Sequence, residues 1–163
     1  MVLQLLRRQE MALRVNYFDL ASQAIQILMN QEDYLREQFS SSQTVTIPVW
    51  ELVKLRISQI NQCAFCIDMH SKTALSQGET QERIIGLSAW RGMPFYSQVE
   101  LAALGWAEQL TFGEKVDDQS YQKVVQLLGE QAVVDLTIAI NAINSWNRIA
   151  KTFKSEVVSN KSE

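Results

Sequence analysis

From Asp19 to Phe39 the apolar residues Leu20, Ala24, Ile27, Leu28, Leu35 and Phe39 recur at three- and four-residue steps, which predicts one amphipathic helix. Ser40-Ser41-Ser42-Gln43 reads as the polar linker that ends it. Pro48 opens a second helix, where first-turn amides have no partner and proline is tolerated. That helix runs to about Gln59, with Val49, Leu52, Val53, Leu55 and Ile60 as its apolar positions. A third begins near Ala64 and ends at Gly78, a residue suited to a left-handed cap. Thr80 caps a short helix through about Ala89, and Trp90 to Phe95 reads as a loop around Gly92 and Pro94. Ser97 and Glu100 form a capping box for a helix through about Thr111, stopped by Gly113. Asp118 is the expected cap of a further helix that Gly129 stops, and the last runs from about Gln131 to Phe153. No strand-like alternation with hairpin turns, internal repeat or low-complexity tract interrupts this pattern. The predicted class is all-α.

The 163 residues fit a single domain, long enough to bury a core without staples. We expect an amino-terminal extension over 1–15, a helical domain over 16–154 and a flexible tail over 155–163. Hydrophobic residues at 47% against 20% charged describe a globular chain. A net charge of -3 and the lack of any Lys/Arg-rich block argue against nucleic-acid binding. No run approaches the roughly 18 apolar residues of a membrane span. The opening MVLQLLRRQEM is a poor signal peptide, and Met11 is an alternative start. The compartment this implies is a reducing cytoplasm, where a close cysteine pair is more often catalytic or metal-binding than structural.

The chemistry is concentrated between Glu51 and His70. Both cysteines of the chain, Cys63 and Cys66, and its one histidine, His70, fall within eight positions. On a helix starting at Cys63, residues i, i+3 and i+7 share one face. The two sulfurs are then close enough for a disulfide, and the helix amino end favours thiolate. His70 is placed to accept or relay the Cys66 proton, and Glu51, on the preceding helix, to orient His70 or shuttle protons. Structural zinc wants four ligands in two pairs, and no further Cys or His exists to complete them. A three-ligand catalytic site is the metal alternative; we expect no metal and no cofactor. The helical surroundings also exclude a thioredoxin fold, in which C-x-x-C follows a strand. Around this stretch, Trp90, Trp106 and Trp146 read as core or interface residues. Asn147 and Arg148 line the site or serve as caps and ion partners. Arg56 pairs with Glu51 or faces solvent, Asp68 is solvated, and the apolar last helix suggests a subunit interface.

The arrangement Glu51, Leu55-Arg56-x-Ser58-x-x-Asn61, Cys63-Ala64-Phe65-Cys66 and His70 resembles the AhpD-like alkylhydroperoxidases of the carboxymuconolactone decarboxylase superfamily. The likeness continues through Gly78-Glu79-Thr80, Leu87-Ser88-Ala89-Trp90-Arg91, Glu100 to Glu108, and Ile143-Asn144-x-Trp146-Asn147-Arg148. The resemblance implies an AhpD-like helical bundle assembled as a homotrimer or homohexamer. It implies Cys66 as peroxidatic thiolate, Cys63 as resolving thiol, and His70 and Glu51 as the proton relay. The implied activity is thiol-dependent reduction of hydrogen peroxide or organic hydroperoxides, with an external thiol donor as electron source. Alternatives are a disulfide reductase or thiol oxidoreductase with weak peroxidase activity, and a non-enzymatic redox sensor. The chain departs from some peroxidase members in carrying Phe65, not histidine, directly before the second cysteine. Members that act on carboxymuconolactone lack the cysteine pair, so that decarboxylation is not expected.

Overall fold

The computed structural model describes residues 13–155 and 157, and among them every regular element is helical. Most of the expected extension, with Met11 inside it, and most of the tail lie outside the described residues. The elements are α1 (Tyr17–Leu20), α2 (Ser22–Ser41), α3 (Ile47–Ile60), α4 (Ala64–Ser76), α5 (Gln81–Gly86), a 3-10 turn (Leu87–Gly92), α6 (Gln98–Thr111), α7 (Asp118–Leu128) and α8 (Glu130–Thr152).

At the centre stands α3. Nine of its residues, Val49 to Leu55 with Ile57 and Ser58, are buried, because α2, α4, α6 and α8 pack on it from different sides. A helix apolar all round must lie inside. Two charged side chains, Glu51 and Lys54, are buried along with its apolar ones, which a purely structural core helix would avoid. Leu35, Phe39, Trp50, Leu87, Leu104, Leu136 and Ile140 complete the core around it.

Several boundaries differ from the sequence pattern for identifiable reasons. The first helix is broken at Ala21 (φ -127°, ψ 39°), which separates α1 from α2. Its buried residues are Ile25, Leu35 and Phe39, while Leu20 and Ile27 stand 77% and 69% exposed, so the inward face is rotated from the expected one. The polar linker is shorter than expected, with α2 continuing to Ser41. The helix after Thr80 stops at Gly86, and Trp90, Arg91 and Gly92 belong to a 3-10 turn kinked at Ala89. Asp117, not Asp118, caps α7, accepting the Ser120 amide at 2.7 Å. The Ser97–Glu100 capping box forms as expected. Gly129, at φ 86°, turns the chain between α7 and α8, a backbone region that costs glycine little.

Arg56 neither pairs with Glu51 nor faces solvent. It donates to Glu108 at 2.7 Å, and the same buried carboxylate accepts from Trp90 at 2.9 Å and pairs with Arg91. Asp68 pairs with Lys72 at 2.7 Å. Trp90 and Trp106 are buried. Of the apolar surplus of α8, Val133, Leu136, Ala139, Ile140, Ala142 and Ile143 are buried within this chain, while Val134 is 52% exposed. Among the described residues no single helix is long and apolar enough to cross a membrane.

Candidate active site

The joint between α3 and α4 places the cysteines. Gln62 adopts φ 52°, its amide donates to Gln59 O at 3.1 Å, and the Cys63 amide donates back to Ser58 O at 3.0 Å. This paired pattern is a Schellman motif, with glutamine where glycine is usual. The residue after it, Cys63, is at once the N-cap of α4, its sulfur accepting the Cys66 amide at 3.4 Å. Cys63 and Cys66 are joined as a disulfide, their Cα atoms 5.3 Å apart.

A polar lattice fixes this joint to α8. The Asn61 amide nitrogen donates to Asn144 Oδ1 and to Asn147 Oδ1, both at 2.9 Å. Asn147 donates in turn to Ser58 Oγ at 3.1 Å, and Lys151 Nζ donates to Asn61 O at 2.6 Å. Asn147 is fully buried, so these bonds satisfy groups that would otherwise be costly to leave unpaired. Asn147 and Arg148 do not line the site; they hold the turn that carries it, Arg148 through Asn144 O at 2.8 Å.

One turn beyond Cys66, His70 meets α3. Its Nδ1 lies 2.5 Å from Glu51 Oε1, and Lys54 Nζ lies 2.8 Å from Glu51 Oε2. All three side chains are buried, and Lys54 also sits 3.9 Å from the centre of the Trp50 ring. Burial alone would raise the Glu51 carboxyl, but the bond and charge from His70, together with Lys54, outweigh it and hold Glu51 at about 2. His70 is driven the other way: burial lowers it from 6.5, Glu51 opposes that, and Lys54 adds to it. The pair therefore stands at neutral pH as carboxylate and neutral imidazole. The short contact requires the proton on Nδ1, which leaves the lone pair on Nε2, a buried atom with no protein partner.

Cys66 and His70 open on a cavity of about 460 Å³, whereas Cys63 does not line it. Phe65, Met69, Ile143, Trp146 and Ala150 give it apolar walls, and Glu32, Asp33 and Arg36 bring charge from α2. Glu32 accepts from Trp146 Nε1 at 3.2 Å, and burial raises its carboxyl above 4.5. Among the described residues no three His, Cys, Asp or Glu are grouped to hold a metal ion.

Residues 49–109 match the model of the carboxymuconolactone decarboxylase family. The uncharacterized protein YdfG of Bacillus subtilis is 44% identical over 142 residues, spanning 86% of this chain and 93% of that one. The crystal structure of an Agrobacterium tumefaciens protein of unknown function, provisionally assigned to antioxidant defence as AhpD, superposes with a TM-score of 0.81 at 35% identity. It covers 91% of this chain and 99% of its own. The chain belongs to the carboxymuconolactone decarboxylase family. It is an AhpD-like member of it. A peroxidase-related protein from Silicibacter shares the fold alone, with a TM-score of 0.73 at 15% identity, covering 83% of this chain and 70% of that one.

Within this AhpD-like family member the structure brings Glu51, Cys63, Cys66 and His70 together. Sequence reasoning missed Lys54, one helical turn from Glu51, whose i+3 spacing was the available signal. It also missed Glu32, whose one signal was a carboxylate on the apolar side of a helix. The Asn61 lattice was legible as a motif but not as a contact.

Proposed function

We propose that the chain is a thiol-dependent peroxidase that reduces hydroperoxides through Cys66 and Cys63. The observation that carries this reading is that Cys66, not Cys63, faces the cavity beside a histidine whose Nε2 is unpartnered. In the reduced protein, His70 Nε2 takes the Cys66 thiol proton and the thiolate attacks the terminal peroxide oxygen. The O–O bond breaks, Cys66 becomes a sulfenic acid, and the departing alkoxide recovers the proton as alcohol, or water when the substrate is hydrogen peroxide. The Cys63 sulfur then attacks the sulfenic sulfur, forming the disulfide and releasing water. An external dithiol completes the cycle, giving two electrons and two protons and ending as its own disulfide. The assembly that family likeness suggests is a homotrimer or homohexamer, read by light scattering.

A thiol oxidoreductase is the second reading, favoured by the Cys66 amide donating to Cys63 Sγ, where a helix amino end stabilises thiolate. The test is continuous consumption of cumene hydroperoxide with a dithiol donor. Cys66→Ser should abolish it. Cys63→Ser should complete one oxidation per chain and leave a sulfenic acid that dimedone traps. Equal turnover by Cys66→Ser would end the peroxidase assignment. Alkylation fastest at Cys63, with no peroxide turnover, would favour the oxidoreductase, and one oxidation per chain by the intact protein would favour a sensor.

A further inference from the structure

We infer that Lys54 is a positioning residue that keeps His70 a neutral base by fixing the negative charge of Glu51. The inference rests on the relay reading of His70. The Glu51 carboxylate is shared between two neighbours: Oε2 lies 2.8 Å from Lys54 Nζ and Oε1 lies 2.5 Å from His70 Nδ1. A buried carboxylate facing only an imidazole draws a proton onto it, because the pair then carries no net charge in a medium that solvates charge poorly. A buried ammonium on the second oxygen supplies that neutrality first, and the imidazole need not ionise. Its Nδ1–H still bonds Glu51, and the Nε2 lone pair stays available.

The placement of Lys54 is otherwise hard to explain as packing. Lysine rarely lies inside a helix-lined core, yet Lys54 is 7% exposed, with its ammonium over the face of Trp50 at 3.9 Å. The aromatic face and the carboxylate together hold the charge where water does not. Apart from Glu51 and Lys54, the charged groups that line the cavity with His70 belong to α2. Glu32 and Asp33 are acidic and Arg36 basic, and all three line the cavity. From α4 itself Cys66 faces the same space, with Asp68 and Lys72 paired to each other. From α1 comes Tyr17, and α8 contributes only the uncharged Ile143, Trp146 and Ala150. Lys54 is therefore the cation bonded to the relay.

His70 is the one histidine in the chain, so NMR titration of histidine ring signals reads it alone. In the wild-type protein the ring should be neutral at pH 7 and protonated at Nδ1. In Lys54→Met it should titrate about one unit higher or more, a tenfold rise in proton affinity, while Lys54→Arg should keep the wild-type value. Alkylation of reduced Cys66 should extend to lower pH in Lys54→Met, where an imidazolium beside the thiol favours thiolate, and stay in place in Lys54→Arg. A wild-type ring already protonated at pH 7 would overturn the inference, and this needs no variant. So would an unmoved titration in a Lys54→Met protein with native circular dichroism; if methionine prevents folding, Lys54→Gln takes its place. Because ring titration does not depend on peroxide turnover, a protein that fails as a peroxidase but titrates as described sinks the function and leaves the role of Lys54 standing.

Discussion

His70 Nδ1 lies 2.5 Å from Glu51 Oε1, across nineteen positions of sequence, and this contact decides which ring nitrogen is free for chemistry. A donor is needed at Nδ1, so the lone pair is on Nε2, buried and unpartnered, in a side chain that lines the cavity. Buried polar atoms without partners are uncommon in folded proteins and call for a reason. Proton transfer with Cys66 or with substrate supplies one.

The first prediction follows from that tautomer. His70→Gln should lower hydroperoxide turnover by about a hundredfold, the lower end of what a positioned general base contributes. Reduced Cys66 in the variant should alkylate more slowly at pH 7, with its rate rising only as pH approaches that of an ordinary thiol. Stopped-flow assays and alkylation followed by mass spectrometry check both, and unchanged rates would remove His70 from the reaction.

Acidification should destabilise the fold before the carboxylates titrate. His70 has a folded pKa below 6.5, so the unfolded chain binds its proton first as pH falls. Its stabilising contribution is present above 6.5 and is lost as pH drops below that value, at up to about 1.4 kcal/mol per pH unit. Glu32 acts in the opposite sense: its folded pKa lies above 4.5, so protonation stabilises the fold as pH falls through it. Urea denaturation from pH 7 to 5 should therefore show falling stability in the wild type and a steeper fall in Glu32→Gln. Constant stability across that range in Glu32→Gln would mean that His70 is not buried neutral.

Gln62 holds φ 52° at the joint that positions Cys63, a conformation that costs a side chain about 1 kcal/mol and glycine almost nothing. Gln62→Gly should leave the fold unchanged or stabilise it by about 0.5–1 kcal/mol, less any entropy the unfolded chain gains. Gln62→Val should lose more than 1 kcal/mol, since a β-branched residue fits this region worst. Thermal denaturation of the oxidised proteins distinguishes them; equal melting temperatures for Gly and Val would show that the turn is not held as described.

What the amino-acid order determined by itself was local. Helix boundaries such as the Ser97–Glu100 box follow from neighbours three and four apart, and so does the stacking of Cys63, Cys66 and His70 along α4. Spacing also named Glu51 as a partner, because one short helix separates it from the cysteines. Tertiary structure decided what depends on packing between distant segments. The inward face of α2 is set by α3 and α8, so Ile25 is buried while Ile27, equally apolar, is exposed. Arg56 finds Glu108 fifty-two positions away. Asn61 finds Asn144 and Asn147 on the last helix. Lys54 reads in sequence as an ordinary surface lysine on an amphipathic helix, and only the burial of α3 on several sides turns it into a fixed charge. The physical reason is common to all of these: helical periodicity says which residues share a face, but desolvation, which gives a buried charge its chemical effect, belongs to whatever covers that face.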